Sequence, residues 1–580
     1  MNTGPGDQFA HPSADCDLIM QGGITSGVVY PAAVLKLAAR YRFRSIGGTS
    51  AGAIAAAATA AAELGRASGG FDRLSDLPNE LGKCLLSLFQ PLPPFRGVFA
   101  IFLASLGSRA LLVKLAHVVL LALRWFPVTT LLGLSPTLLY LWRIEFAPHG
   151  VLEWISIIAA GLLGIVVAWL IRLVALALFD LPRALFGVCS GLGQNSACAP
   201  ALTEWLTDLF DRLAGIASSP DKSATDALLT FGHLESAAID LKMMTTNLSV
   251  RRPYTLPFMS HPDRPQHDGR FAFRVAEWEC YFPKRVMSWL LAHSHEVADN
   301  AGYRYLPDSK QLPVIVAVRM SLSFPLLLTA IPLYRQDWTY RESAERHRLR
   351  RCIFSDGGIS SNFPIHFFDN LLPTRPTFAI ALEEYSSLRF ASADTQARVY
   401  MPEQANQGFL LPIAAVSSLP SFLAAIVDSA RNWQDNLQRI LAGYRERTAH
   451  IALTDTEGGL NLNMNTNLIA ELSELGQIAG TRMLSFDLQE HQWRRFLVAY
   501  ARLEETFERM NTAYSGGFEE FLATYPPNTK SYEPNAAWFA AVNARLKALI
   551  TLTEPWKNSP LRTSGRIPKP DTDLRITPKP

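Results

Sequence analysis

The chain has 580 residues, 18% of them charged and 49% hydrophobic, with a formal net charge of +3. A soluble enzyme usually carries roughly a quarter charged residues, so an apolar segment must account for the deficit; the small net charge offers no footprint for nucleic acid. Six cysteines (Cys16, Cys84, Cys189, Cys198, Cys280 and Cys352) lie far apart with no C-x-x-C pair, which gives no zinc or redox motif and fits a reduced compartment.

Residues 1–14 have neither a charged n-region nor an apolar h-region and are expected to form a disordered lead, not a signal peptide. Asp17–Met20 reads as a short buried strand, followed by a glycine turn at Gly22-Gly23. A helical pattern then runs from about Ser26 to Tyr41, with Pro31 tolerable in its first turn. A second strand runs into Ile46 and ends in Gly47-Gly48-Thr49-Ser50-Ala51-Gly52, and an Ala-rich helix follows to about Leu64. Strand, turn, helix, strand, sharp turn, helix is the opening of an α/β domain with a mainly parallel sheet.

From Val98 to Leu185 the sequence is dominated by Leu, Val, Ile, Ala and Phe. Trp125–Trp142 and Trp154–Ile171 contain no charge, and each is about long enough to cross a bilayer core of ~30 Å. Trp125, Tyr140, Trp142, Trp154 and Trp169 stand at or near their ends, as in interfacial aromatic belts. A helical hairpin in a membrane is expected, within a hydrophobic insert at 91–200 whose spans fall near 125–142 and 154–179. A large apolar helical cap on a soluble enzyme is the other reading.

Beyond Cys198 the composition is ordinary. Ala237–Val250 contains a strand, Pro313–Val318 is an apolar run, and Arg351–Ser355 is a strand candidate ending at Asp356-Gly357-Gly358. Thr377–Leu382 is another strand. After Glu384 helical periodicity dominates, above all in Phe422–Tyr444 and Glu490–Met510, and 561–580 is Pro- and Lys/Arg-rich and expected to be disordered. No internal repeat is present.

Three motifs carry chemistry. Gly48-x-Ser50-x-Gly52 is a G-x-S-x-G elbow after a predicted strand. Such a turn strains the serine backbone, exposes Oγ and aims it at the N-terminus of the next helix, where free amides favour an anion. Gln21-Gly22-Gly23-Ile24-Thr25-Ser26-Gly27 places a glycine pair between a strand and a helix, a backbone arrangement suited to a phosphate or an oxyanion, though a plain turn has the same composition. Asp356-Gly357-Gly358 sets a carboxylate at a strand end beside two glycines that permit close approach; alone it is a common turn.

Together the three resemble the patatin-like phospholipase family, which carries a Gly-rich oxyanion loop, a G-x-S-x-G about two dozen residues later, and a distant D-G-G or D-G-A. The resemblance extends to Thr245-Thr246-Asn247-Leu248 with Arg252-Pro253, to Ser321-x-Ser323-Phe324-Pro325 and to Asn362-x-Pro364. It covers roughly 15–75 and 230–385, with a fainter echo at 451–480. It implies a three-layer α/β/α fold with the catalytic domain at 15–90 and 201–385, a helical C-terminal region at 386–560, and 451–485 as the stretch that would complete the domain. It also implies a Ser–Asp dyad: Ser50 as nucleophile, Asp356 as base, and amides near Gly22 and Gly23, with Gly27 and Ala51, as oxyanion hole. Gly48 and Gly52 shape the elbow, and Gly357, Gly358 and Asn362 support the base. No metal or cofactor is required. The chain departs from the family at Ile24, which stands for the third glycine, and at Ser26, which stands for a basic residue.

The implied reaction is hydrolysis of a glycerolipid acyl ester from a membrane. Acyl transfer to another acceptor, or a membrane-anchored scaffold with an impaired site, are the alternatives. A Ser50–Asp356–His366 triad would match the order of α/β-hydrolases, but His366 sits at the start of an apolar helix. His293-Ser294-His295-Glu296 reads as a solvated face, because neighbouring helix positions diverge. Arg109, Lys114 and Arg124 precede the hairpin and Arg172 and Arg183 follow it, whereas the link holds Arg143 against Glu145 and Glu153. The positive-inside rule then places the catalytic domain in the cytoplasm.

Overall fold

The computed structural model describes residues 7–563 and Pro568, apart from 24–25, 107–110, 144–149, 194–198, 217–227, 259–269, 299, 391, 404–406, 408–410, 412, 414, 455–456, 460, 463 and 525–535. The architecture is mixed α/β with a large, mainly helical part.

Six strands build the centre of an 11-stranded sheet: β1 (Ala14–Met20), β2 (Tyr41–Gly48), β3 (Asp240–Asn247), β4 (Leu349–Asp356), β5 (Thr377–Glu384) and β6 (Thr448–Leu453). Their spatial order is β6-β5-β1-β2-β3-β4. The first five of these positions run parallel, and β4 pairs antiparallel with β3. Beyond β4 the sheet continues antiparallel through Ile331–Gln336, Ala272–Arg274 and Tyr303–Tyr305. The central strands are buried on both sides and therefore read as short apolar runs without alternation. The segment at 448–453 joins this sheet beside β5.

Helix α1 (Val29–Ala38) follows a short 3-10 turn at Ser26–Val28, and the chain enters β2 at Tyr41, earlier than the helical pattern anticipated. Helix α2 (Ala51–Leu64) buries Ala53, Ala56, Ala57, Ala60 and Ala61 completely. Methyl-sized side chains let this helix lie close to the sheet and to the helix Leu202–Ala214, and their large number offsets how little area each one buries. Of the expected lead, residues from Asp7 onward are described; Asp7–Phe9 is a helical turn whose Phe9 is buried against Phe71.

The apolar insert contains α3 (Leu111–Trp125), α4 (Pro127–Arg143) and α5 (Val151–Ala175). Among the described residues, only the stretch Val151–Arg183 is a continuous helix long and apolar enough to cross a membrane, at a mean hydropathy of 2.6. The expected first span, near 125–142, falls on α4, which meets α3 at a 94° bend; the two pass as a span by length and composition only as a bent pair. Phe126 is the break and Pro127 starts the new helix, where its missing N–H costs nothing. Helix α4 alone has 17 residues, about 26 Å at 1.5 Å per residue, slightly short of a ~30 Å core. Helices α4 and α5 pack together where the Gly133 and Gly164 backbones meet, and Trp169 Nε1 donates to Thr130 Oγ1 at 3.0 Å. Most large apolar side chains on these helices are exposed, including Leu132, Leu139, Leu163 and Ile171.

Candidate active site

The register brings the three motifs to one edge of the sheet. Met20 on β1 is level with Gly48 on β2, and Gly48 is level with Met243 on β3. Two residues further, Thr245 is level with Asp356 on β4. The loop after β1, the turn after β2 and the end of β4 therefore converge, although 306 positions separate Ser50 from Asp356.

Ser50 has φ 55° and ψ −129°. A non-glycine residue rarely holds this conformation, which costs on the order of 1–3 kcal/mol. Backbone contact around the serine leaves no alternative: a Cβ at Gly48 would lie 2.2 Å from the Gly52 carbonyl oxygen, and one at Gly52 would lie 2.3 Å from the Met20 oxygen. The Ser50 amide donates to Ser321 Oγ at 3.2 Å, and that hydroxyl donates onward to the Met244 carbonyl at 2.6 Å. Thr49 Oγ1 donates to the Asn362 carbonyl at 3.1 Å.

Asp356 is buried, 3% exposed. Its Oδ1 accepts from the Gly358 amide at 2.7 Å, while Oδ2 lacks a partner of ordinary hydrogen-bond geometry. Burial pushes its carboxyl up to about 6; the nearby Ser50 hydroxyl, the Gly358 amide and the Arg431 charge pull the other way without cancelling it. The Asp356 amide donates to the Ser323 carbonyl, which also takes the Ser355 hydroxyl. Ser323 is in turn held by the fully buried Arg319. The Ser321-x-Ser323 pair thus fixes the serine turn with one hydroxyl and the aspartate strand with one carbonyl. Gly357 sits so close to β3 that a Cβ would fall 2.0 Å from the Met244 oxygen.

The glycine loop is only partly in place for an oxyanion. A Cβ at Gly22 would lie 3.0 Å from Ser50 Cβ, so this loop touches the serine. The Gly22 amide, however, donates to the Asn362 carbonyl at 3.0 Å, and Asn362 Nδ2 donates back to the Gly22 carbonyl. That donor is engaged, which leaves the amides of Gly23 and Ala51 as the candidates. Gly27 faces Ala51, with a Cβ position 3.4 Å from the Ala51 methyl. Ile24, one of the two departures in this loop, lies outside the described residues, as does the side chain of Ser26.

His366 does not join the pair. Its neighbours are Gln438, Asp369 and Phe367, and burial lowers its basicity. His293 stacks on Trp289, and Glu296 pairs with Arg304. Among the described residues no group of three or more His, Cys, Asp or Glu side chains is arranged to hold a metal.

Two features escaped the sequence reading. Helix α6 (Leu419–Arg439) clamps the loop after Asp356: Arg431 Nε donates to the Gly358 carbonyl at 2.6 Å, and Asp435 accepts from the Ser361 hydroxyl and from the Asn362 and Phe363 amides. The i, i+4 spacing of Arg431 and Asp435 is visible in the sequence, but their partners are not. The second feature is a narrow apolar cavity of about 90 Å³ that begins at Gly27 and Ala51 beside the serine. It runs between Ile54, Ala55, Leu81, Leu209 and Phe324.

No family model matches the chain. The RpoH suppressor of Rhizobium meliloti (strain 1021) is 34% identical in an alignment of 658 positions, covering 98% of this chain and 99% of that protein. Among solved structures, VipD from Legionella pneumophila aligns with 95% of this chain and 87% of its own, at 13% identity and a TM-score of 0.29.

Proposed function

We propose that this protein, which belongs to the family of the RpoH suppressor, is a serine lipid-acyl hydrolase of patatin-like architecture working with a Ser50–Asp356 dyad. The observation that carries the reading is the strained Ser50 turn set against a buried carboxyl whose pKa is about 6, with an apolar cavity opening at the next residue. In this reaction Ser50 Oγ attacks the ester carbonyl and its proton passes to Asp356. Amides at Gly23 and Ala51 take the charge of the tetrahedral oxygen. Collapse expels the alcohol, which leaves with the proton from Asp356, and the acyl group stays on Ser50. Water then attacks the acyl-enzyme by the same route in reverse, giving the fatty acid and free serine. A pKa near 6 suits the carboxyl to both duties at neutral pH.

The insert supports a membrane location. Helix α5 and its continuation expose apolar side chains throughout, and α4 lies against it as a second arm. Both ends of the insert lead into one sheet, so the arms cross together or not at all. Cationic flanks at Lys114, Arg124, Arg172 and Arg183 then favour a cytoplasmic catalytic domain. The ester substrate would be drawn from the adjoining leaflet.

A second reading, a membrane-anchored scaffold with an impaired site, is favoured by the engagement of the Gly22 amide with Asn362. One experiment separates the two. The detergent-purified protein is treated with a fluorophosphonate probe and assayed on acyl esters, beside Ser50→Ala. Labelling and turnover that vanish together in Ser50→Ala support the hydrolase. Absence of both in the unaltered protein supports the scaffold.

A further inference from the structure

Both ends of the apolar insert meet at one corner of the fold. The chain enters the insert at Pro91 and Leu92 and leaves it along the short strand Gly187–Cys189. Pro91 bridges to Cys189, and the Leu92 amide donates to the Val188 carbonyl at 2.8 Å. The same strand pairs in parallel with Leu326–Leu328. Leu327 and Leu328 line the apolar cavity, as do Leu88 and Phe89 just before the entry. The cavity that reaches Gly27 and Ala51 beside the serine is therefore walled, at this corner, by the roots of the insert.

Three residues at the corner hold a left-handed backbone: Leu185 at φ 48°, Phe186 at φ 59° and Leu326 at φ 68°. Bulky side chains rarely sit there, and glycine or asparagine would do so at less cost. Leu185 is buried, but Phe186 is 50% exposed and Leu326 61%. The two are tied together, with the Leu326 amide donating to the Phe186 carbonyl at 3.0 Å. Strained backbone thus holds two large apolar side chains out of the core on paired segments.

This surface continues that of the insert. Phe186 follows the helical stretch Val151–Arg183 by three residues. Those 33 residues make about 50 Å of helix, which suits a bilayer with both headgroup layers, about 40–45 Å, at a moderate tilt. Near the end of the stretch Leu178 and Phe179 are exposed, and Arg172 pairs with Asp180 at 3.6 Å, so two opposite charges offset each other. The apolar surface of α5 therefore runs on to the foot of the helix and to Phe186 and Leu326.

We infer that Phe186 and Leu326 are seated in the headgroup layer of the bilayer at the foot of this helix, and so hold the Leu327–Leu328 wall of the cavity against the membrane from which the ester is drawn. The inference rests on the proposed membrane location and identifies the surface of the sheet domain that faces the lipid. A phenyl ring and a branched aliphatic chain close to the exposed Arg183, whose guanidinium pairs readily with lipid phosphate, suit that layer.

The test uses the full-length protein in vesicles of diether phosphatidylcholine, whose chains offer no ester. In a background of Cys84→Ser, Cys198→Ser and Cys280→Ser, an environment-sensitive fluorophore is attached at one of three exposed positions: Leu326→Cys, Leu163→Cys on α5, or Leu372→Cys, ahead of β5 and so away from the strand ends that converge on Ser50. Quenching is read with lipids that carry a nitroxide at the headgroup or deep in the chain. The fluorophore should be quenched by the headgroup nitroxide at Leu326→Cys, by the deep one at Leu163→Cys, and by neither at Leu372→Cys. Leu326→Cys behaving like Leu372→Cys while Leu163→Cys is quenched would overturn the inference and leave the membrane location standing; no quenching at Leu163→Cys would overturn both. Activity gives a second readout. Phe186→Asn combined with Leu326→Asn suits the left-handed backbone and removes the apolar pair. Its kcat/KM on a long-chain acylglycerol held in the vesicles should fall roughly tenfold or more relative to that on a dissolved short-chain ester, and an unchanged ratio would overturn the inference. If the unaltered protein turns over neither ester, the hydrolase reading fails and the quenching alone decides the contact.

Discussion

Asp356→Asn should make the protein inactive and more stable at the same time. Burial raises the Asp356 carboxyl from its ordinary 3.8 to about 6, a difference worth about 3 kcal/mol at most. The folded carboxyl holds its proton more tightly than the unfolded one. The fold therefore gains stability as pH falls from about 6 toward about 4, and above about pH 6 it bears the full cost of a buried carboxylate. Asparagine keeps an oxygen for the Gly358 amide but carries no charge. Unfolding by urea should thus show Asp356→Asn more stable than the unaltered protein by up to about 3 kcal/mol near pH 8, with the gap closing below about pH 5. Esterase activity of the variant should fall on the order of 10³-fold or more, while in the unaltered protein kcat/KM should rise with pH through about 6. A variant less stable than the parent near pH 8, or a stability difference independent of pH, would refute the burial of an ionised base at this position.

Ser50→Gly should raise the melting temperature relative to Ser50→Ala, because only glycine relieves the left-handed backbone at φ 55°; the difference should be about 1–2 kcal/mol by calorimetry. Ala55→Trp would fill the apolar cavity next to the serine. In a series of p-nitrophenyl esters it should cut kcat/KM for long acyl chains by about tenfold or more, relative to the shortest ester. Gly164→Leu would drive a side chain into the Gly133 carbonyl, which lies 2.3 Å from the Cβ position. It should part α4 from α5 and speed tryptic cleavage at Arg143 and Arg172 in micelles.

The elements of the candidate site were legible where local sequence dictates local geometry. A serine between Gly48 and Gly52, after a β-rich run and before seven alanines within ten residues, has few backbone solutions. Asp356 was legible because two glycines follow it, and Gly357 is needed for the approach to β3. The contribution of Ser321 and Ser323 was visible only as part of a motif. Its physical basis, one hydroxyl under the Ser50 amide and one carbonyl over the Asp356 amide, depends on strand register that no spacing reveals. The same is true of the Gly22 amide, whose donor is taken by a residue 340 positions away.

The insert and α6 show where an apolar pattern runs out as a guide. An uncharged run from Trp125 to Trp142 satisfies a span by length, yet Pro127 turns its start into a helix N-terminus and sends α3 off at 94°. Composition counts residues between charges and is blind to the direction of the chain at a proline. Helix α6 reads as an ordinary amphipathic surface helix. Its apolar side, with Phe422, Leu423, Ile426 and Val427, is the one left exposed, while Arg431 and Asp435 grip the loop that follows Asp356. Amphipathicity predicts burial of the apolar stripe; here Asp435 is buried and Arg431 half-buried instead, because the glycine-rich loop after β4 has backbone amides and a carbonyl to satisfy. The Arg431 charge that pulls on the Asp356 carboxyl therefore comes from a helix outside the strand ends that carry the motifs. Any change in how α6 is seated will be felt at Asp356 through the loop that follows it.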